Sequence, residues 1–407
     1  MLRAHKIRMN PTPEQEQYLH QACGVARFCY NWGLAEWQRQ YEAGKKPSAY
    51  ALKKQFNAVK GEQFPWVYDV DKCAQDTGFR NLDAAFKNFF RRCKSGDTKK
   101  GYPYFKSRKR SKLSYRVDGY RVRLDGYWIN LPRLDEPINI AEELRFDGEV
   151  KSVTISKDGE HWYAAVNVEV EPPKHEHPQE SVGIDLGIKI LAVLSDGVQY
   201  ENQGLLRSEL RKLKRLNREL SRRQEGSGRW NRTKTKLARL HHRIANRRRD
   251  HQHKMTTEIA GTYRVIGVED LNVAGMLRNH CLALSISDTG FGEIRRQLAY
   301  KSVWFSGELV EIDRFFPSSK LCRHCGCIND NLKLSDREWV CDCGAVLNRD
   351  RNAAINIEIE AMRIFAGVGS RRSKTRVESD ISPTAISLAA SMKRENMGDK
   401  GHPSSLC

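Results

Sequence analysis

Two groups of residues have the types and spacing to do chemistry. The first is Cys322-x-x-Cys325 followed by Cys341-x-Cys343. Thiolates in close pairs can converge on one Zn²⁺, which takes four soft or borderline ligands in a tetrahedron. The pattern predicts one structural zinc on Cys322, Cys325, Cys341 and Cys343, although the second pair is a residue short of C-x-x-C and Cys327 is a spare thiol nearby. The second group is acidic. Asp185 lies inside the apolar run Val182-Gly183-Ile184-Asp185-Leu186-Gly187, Glu269 ends the run Val265-Ile266-Gly267-Val268-Glu269, and Asp350 opens a helix. A carboxylate in a buried strand is costly unless something cationic pairs with it. Mg²⁺, a hard cation that takes oxygen ligands, answers that need. Two such ions about 4 Å apart activate water and stabilise the leaving oxygen of a phosphodiester. Each acid alone has a plainer reading: Asp185 capping a turn with Gly187, Glu269 paired with an arginine, Asp350 as a helix N-cap.

The chain that must position these groups has 407 residues and a net charge of +20. That length allows two to four domains, and the surplus charge favours a polyanionic partner. No apolar run approaches the roughly 18 residues of a membrane span, and the first residues lack the apolar core of a signal peptide, so no membrane partner is expected. Eleven cysteines, an odd number, read as metal ligands and buried thiols of a reducing cytosol rather than as disulfides.

Residues 4–9 predict a strand. Thr12-Pro13-Glu14-Gln15 predicts a helix start, with Thr12 as N-cap, Pro13 in the first turn and Gln15 closing a capping box. Tyr18, Ala22, Val25, Phe28 and Cys29 recur at helical spacing, and further helices are expected over 31–43, 49–59 and 73–93. Residues 94–112 read as a loop in which Tyr102, Tyr104 and Phe105 stand among lysines and arginines, suited to backbone pairing plus base stacking. Strands are expected over 120–124, 127–131, 150–156 and 162–170, with turns at Asp125-Gly126 and Asp158-Gly159. They suggest a small β-barrel to which the opening strand may also belong, the helices being an insertion. After the linker 171–178 come the Asp185 strand and its hairpin, then two long helices. Over residues 207–254 these carry eighteen basic residues and four acidic ones. A solvated face would mix signs, so this one, with Arg243, Arg247, Arg248 and Arg249, is expected to meet nucleic acid. The Glu269 strand follows, then a helix over 291–305, a strand over 308–313, the cysteine segment and a last helix over 350–364. Residues 371–407 read as a disordered tail.

Three runs taken together carry a resemblance: Gly183-Ile184-Asp185-Leu186-Gly187, Gly267-Val268-Glu269-Asp270-Leu271 and Asn348-Arg349-Asp350-Arg351-Asn352-Ala353-Ala354. They resemble the three motifs of an RNase H-like, RuvC-type nuclease core in the order found in TnpB, the RNA-guided nuclease of small insertion sequences and ancestor of type V CRISPR effectors. Asn10-Pro11-Thr12-Pro13-Glu14-Gln15, Asn88-Phe89-Phe90-Arg91, Gly101-Tyr102-Pro103, Leu284-Ser285-Ile286-Ser287-Asp288 and Phe316-Pro317-Ser318-Ser319-Lys320 extend it from about residue 3 to 365.

The resemblance implies an α/β multidomain protein: a RuvC-like core with an inserted zinc ribbon, plus an N-terminal wedge β-barrel carrying a helical recognition lobe. By it, 1–10 and 100–178 form the wedge, 11–99 the recognition lobe, 179–314 and 346–370 the nuclease, and 315–345 the zinc ribbon. Asp185, Glu269 and Asp350 become catalytic Mg²⁺ ligands. Tyr50 and Lys72, the latter within Val70-Asp71-Lys72, fall where such proteins read a short DNA motif. The implied partners are a guide RNA from the transposon end and matching double-stranded DNA. The implied setting is the bacterial or archaeal cytoplasm, at the nucleoid. One acid triad and no evident dimer module suggest a monomeric ribonucleoprotein. Strand transfer by a transposase uses the same acids and stays open beside hydrolysis. Intact acids argue against a non-cleaving guided repressor.

Overall fold

The computed structural model describes residues 1–98, 100–108, 110–172, 174–333 and 336–367; the tail expected over 371–407 lies outside them. Seven strands make one antiparallel sheet: β1 (Leu2–Asn10), β2 (Ser114–Asp118), β3 (Arg123–Asp125), β4 (Trp128–Asn130), β5 (Ile138–Ile140), β6 (Glu149–Asp158) and β7 (His161–Glu169). Their order is β2-β6-β7-β1-β5-β4-β3, so the opening strand lies between β7 and β5. Among the described residues no pairing joins β2 to β3; the sheet has two edges where a barrel had been expected.

Between β1 and β2 come α1 (Pro13–Glu42), α2 (Ala49–Gln63) and α3 (Lys72–Lys94). The capping box at the start of α1 is present: the Thr12 N–H donates to Gln15 Oε1 at 3.0 Å, and the Gln15 N–H to Thr12 Oγ1 at 3.3 Å. The helix runs unbroken from Pro13 to Glu42. At Gly33 it packs closely on α3, where a Cβ would come within 2.8 Å of Leu82 Cδ2. Gly78 repays the contact from α3, its missing Cβ facing Cys29 and the Ala26 carbonyl. These helices and the seven-stranded sheet share one core, with Ile7, Leu19, Phe56, Leu82, Val153 and Trp162 buried in it.

A second sheet contains β8 (Gln179–Leu186), β9 (Ile190–Leu194), β10 (Gln199–Glu201), β11 (Tyr263–Glu269) and β12 (Glu308–Ile312), in the order β10-β9-β8-β11-β12. The first three run antiparallel; β11 is parallel to both β8 and β12. The basic helices α4 (Leu205–Ser221) and α5 (Gly228–Thr262) bridge β10 to β11 and pack on each other through Leu213, Leu216, Leu240 and Ile244. Two short helices, α6 (Val273–Met276) and α7 (Ala283–Thr289), precede α8 (Phe291–Trp304). Beyond β12 the cysteine segment contains the hairpin β13 (Glu338–Val340) and β14 (Val346–Asn348), and α9 (Arg349–Phe365) closes the described fold. The expected boundary between residues 345 and 346 therefore falls inside this hairpin. None of the described helices is long and apolar enough to cross a membrane.

α9 lies directly on bare backbone. A Cβ on Gly183 would sit 1.9 Å from the Ala354 carbonyl oxygen, and one on Gly267 would sit 2.6 Å from Ala361 Cβ. Gly183→Ala should therefore lower unfolding free energy by about 3 kcal/mol, at the top of the usual overpacking range, because backbone has to yield. Gly24→Ala, which meets nothing within 4 Å on α1, should be neutral or up to about 1 kcal/mol stabilising. Urea denaturation of the two variants checks both signs.

Candidate metal centre

The two strand acids share a sheet end because their strands are parallel. Gly183 pairs with Gly267 and Ile184 with Val268, so Asp185 and Glu269 come next on their respective strands. Glu269 is also abreast of Ile312 on β12. α9 descends onto the same end. Ala354 and Glu358 lie against Gly183, and Ile357 and Ala361 against Gly267, which leaves the first turn, with Asp350, beyond the strand termini. The N-cap of α9 is Asn348, whose Oδ1 accepts from the Arg351 N–H at 3.1 Å; Asp350 is free of that duty.

The electrostatics show the three acids converging. The Asp185 carboxyl is pushed up to about 7, first by burial and then by the charges of Glu269 and Asp350, with Arg349 and Arg337 pulling the other way. Glu269 accepts a hydrogen bond from Ser318 Oγ. The arginines that could have neutralised it, Arg295 and Arg314, are both held by the neighbouring Asp270. Asp350 takes both oxygens to Arg337 Nη1, at 2.9 and 2.7 Å. A buried carboxyl beside two further carboxylates, with its proton affinity raised by them, suits a hard divalent cation, which would remove that repulsion.

Sequence reasoning missed the supports of this cluster. Asn352 and Asn356, a buried i, i+4 pair on α9, both donate to the Leu321 carbonyl at 2.7 Å, and Asn356 also donates to that of Ser318 at 2.8 Å. They fasten the start of the cysteine segment to the helix bearing Asp350. Two amides on the apolar face of a helix were the available signal. Arg337 had none, being one arginine among 70 lysines and arginines.

The four expected cysteines meet. Their sulfurs all lie within 4.8 Å of one another, with Cys325 and Cys341 3.5 Å apart and Cys322 and Cys343 3.8 Å apart. Cys327 is exposed and outside the cluster; its carbonyl accepts from the Cys322 N–H. Each pair ends in a glycine with positive φ, Gly326 at 75° and Gly344 at 86°. The Gly326 N–H closes on the Cys322 carbonyl four residues back, whereas that of Gly344 closes on Cys341 three back, both at 2.8 Å. A tighter turn thus absorbs the missing residue of C-x-C. Burial works against the Cys322 thiolate, yet backbone N–H groups of Cys325 and His324 bring its pKa down to about 7, as a zinc ligand requires.

The expected nucleic-acid residues separate. Tyr50 is 83% exposed on the first turn of α2, and Lys72 is exposed at the start of α3. Arg243 and Arg247 are exposed and Arg249 half-buried on α5. Arg248 is a correction to the uniform basic face: it turns inward, its Nη2 2.7 Å from the buried carboxylate of Asp288. Asp288 also accepts the Leu206 and Arg207 N–H groups that open α4, so Arg248 helps lock the helical pair together. On α4, Arg211, Lys212, Lys214, Arg215 and Arg218 are all exposed.

Residues 165–280 match a family described as “Probable transposase”, residues 291–357 a “Cas12f1-like, TNB domain”, and residues 1–46 a “Helix-turn-helix domain”; here 1–46 hold β1 and the single helix α1. A Streptomyces pristinaespiralis protein named “Putative RNA-guided DNA endonuclease” is 34% identical, the match covering 92% of this chain and 94% of that one. Escherichia coli K12 has “Putative RNA-guided DNA endonuclease InsQ”, 32% identical over 88% of this chain and 91% of its own. The solved “Cas12f1-sgRNA-target DNA complex” has a protein of like fold, with a TM-score of 0.53 at 15% identity, covering 84% of this chain and 82% of its own.

Two outcomes follow. Elemental analysis should find about one zinc per chain, retained in Cys327→Ala and lost in Cys325→Ala. In chelator, the raised Asp185 pKa makes folding favour its protonated form, so stability is greatest below the ordinary carboxylate pKa and falls as pH rises through about 7. Asp185→Asn should therefore unfold at higher denaturant than wild type at pH 8, with the gap closing towards pH 4. Added Mg²⁺ should stabilise wild type and not the variant.

Proposed function

Since this chain belongs to the TnpB family, we propose that it is an RNA-guided DNA endonuclease, with Asp185, Glu269 and Asp350 as the carboxylates that hold Mg²⁺ for phosphodiester hydrolysis. The observation that carries the site is the convergence of three acids at one sheet end, where burial and then the charges of Glu269 and Asp350 lift Asp185 to about 7. Bound there, Mg²⁺ supplies an activated water and stabilisation of the leaving oxygen. Asp185 and Glu269 fix two ligand positions from rigid strands, and Asp350 supplies the third from α9. Arg337 brings to the same place a guanidinium, which holds both Asp350 oxygens through Nη1 alone and whose planar fork suits a phosphate. Ser318 orients Glu269. A sheet antiparallel through β10, β9 and β8 and parallel through β8, β11 and β12 supports an RNase H-like, RuvC-type core.

In this reading 179–314 and 346–370 are the nuclease, and 315–345 a zinc ribbon whose four cysteines hold the structural Zn²⁺. Residues 1–10 and 100–178 are the wedge, and 11–99 the recognition lobe. The guide RNA, drawn from the transposon end, supplies sequence specificity by pairing with the target strand, and the protein reads only a short flanking motif. Tyr50 and Lys72 are the candidates for that reading. Arg243, Arg247, Arg249 and the α4 cations take phosphates, a role that suits a net charge of +20. The working form is a monomeric ribonucleoprotein in the cytoplasm, at the nucleoid.

The test is a plasmid cleavage assay with RNA that co-purifies with the chain. Asp185→Ala, Glu269→Ala and Asp350→Ala should each cut at least about a thousandfold more slowly, as expected when a metal ligand is removed, while guided binding stays within about twofold. Full cleavage by any of them would sink the assignment of the acids. Labelled donor ends in the same reaction separate hydrolysis from strand transfer: free broken ends are expected, and donor–target junctions in good yield would mean a transposase.

A further inference from the structure

Phe315 is 87% exposed, more than any other large apolar side chain among the described residues. Leaving such a ring in water forgoes the stabilisation that its burial gives elsewhere, and unlike tyrosine it has no polar group to satisfy. Its neighbour Phe316 does the ordinary thing and packs against the core of Val310, Ile312 and Ile357.

The ring stands on a rigid mount. β12 ends at Ile312, which is abreast of Glu269. A tight turn follows: Asp313 Oδ1 accepts the Phe315 N–H at 2.8 Å, and the Asp313 carbonyl accepts that of Phe316 at 3.1 Å. Arg314, one residue before the ring, donates from Nε to the Asp270 carbonyl at 3.0 Å and pairs with its carboxylate. Ser318, three residues after it, donates to Glu269. Both flanks of Phe315 are thus tied to the strand that ends in the second acid. Three extended residues span at most about 11 Å, so the backbone of Phe315 lies within that distance of Ser318, which holds Glu269. Among the described residues it has no aromatic partner.

We propose that Phe315 is a stacking platform for an unpaired nucleobase of the DNA strand being cut, holding that strand's backbone over the acidic centre. This rests on the endonuclease reading. A ring that stacks takes any base, because every base presents a π-face. Sequence tolerance is what a nuclease needs when its specificity lies in a guide. Phe315 is a substrate-positioning residue; it takes no part in the bond chemistry.

The experiment uses the full chain loaded with its guide, and matched duplexes carrying a single abasic nucleotide scanned at and beyond the cut. On intact DNA, Phe315→Ala should cut about ten- to a hundredfold more slowly under single-turnover conditions, the range that loss of one stacked base gives. Guided target binding and thermal stability should be unchanged, and Phe315→Trp should restore the rate. One abasic position should slow wild type by a similar factor and leave Phe315→Ala no slower than on intact DNA. Wild-type rates for Phe315→Ala, or equal abasic sensitivity in both proteins, would overturn the proposal. So would a parallel fall in stability or target binding, since the ring would then be covering another part of the chain. If the wild-type chain leaves DNA uncut, the endonuclease reading fails first and this proposal falls with it.

Discussion

The absence of side chains at Gly183 and Gly267 lets α9 rest on the backbone of β8 and β11, with the Ala354 carbonyl in the space that a Cβ on Gly183 would fill. Any larger residue would push the helix outward by more than the tolerance of a metal site. The acids are on three separate segments, and this contact helps set the height of Asp350 above the strand ends. Close-packed interiors transmit such constraints rather than absorbing them. The glycines beside the two strand acids are therefore part of the site's geometry although they touch no ligand.

That geometry costs stability, and the cost is confined. Burial, and then the charges of Glu269 and Asp350, raise the Asp185 pKa to about 7, while Asp270 holds the nearby Arg295 and Arg314. The apolar surroundings of Val182, Ile184, Ile266 and Val268 keep the strands in place regardless. The opposite charge imbalance occurs on α4 and α5, where cations outnumber acids. There the one buried carboxylate, Asp288, is used to cap α4 and to anchor Arg248. An anionic partner can discharge the helices, as a cation can discharge the acids, so each ligand would relieve the strain of the surface it binds.

What was legible beforehand was whatever has a period or a fixed spacing. Asp185 lies inside an apolar run, Glu269 ends one and Asp350 opens a helix. The cysteines sit at knuckle spacing, and Thr12 and Gln15 carry a capping box that the fold contains. Three-residue strands such as β5 at Ile138–Ile140 show no alternation and went unseen, as did β2, whose Tyr115 and Val117 alternate over only five residues. The close approach of α1 to α3 at Gly33 is a tertiary contact that local propensity cannot register. Arg248 could not be told from Arg247 by type; only the facing Asp288 separates an internal brace from a surface cation.

The cysteine knuckle and the acidic cluster are mechanically one assembly. The segment from Ser318 to Arg349 leaves β12 beside Glu269 and returns into α9 beside Asp350. Its two ends are fixed by Ser318 on Glu269 and by Asn352 and Asn356 on Leu321. Between them only a small core of Trp339 and Leu347 with the cysteines stabilises the fold, too little apolar area for a segment of this size to stand without a staple. Arg337 immediately precedes β13 and reaches Asp350 from it. A zinc bound by the four sulfurs would thus hold Arg337 in register with the carboxylates without touching them. Losing it would free the one guanidinium that now faces Asp350 and loosen the strap that orients Glu269. The cysteine segment is therefore better understood as one wall of the acidic cluster than as a separate module beside it.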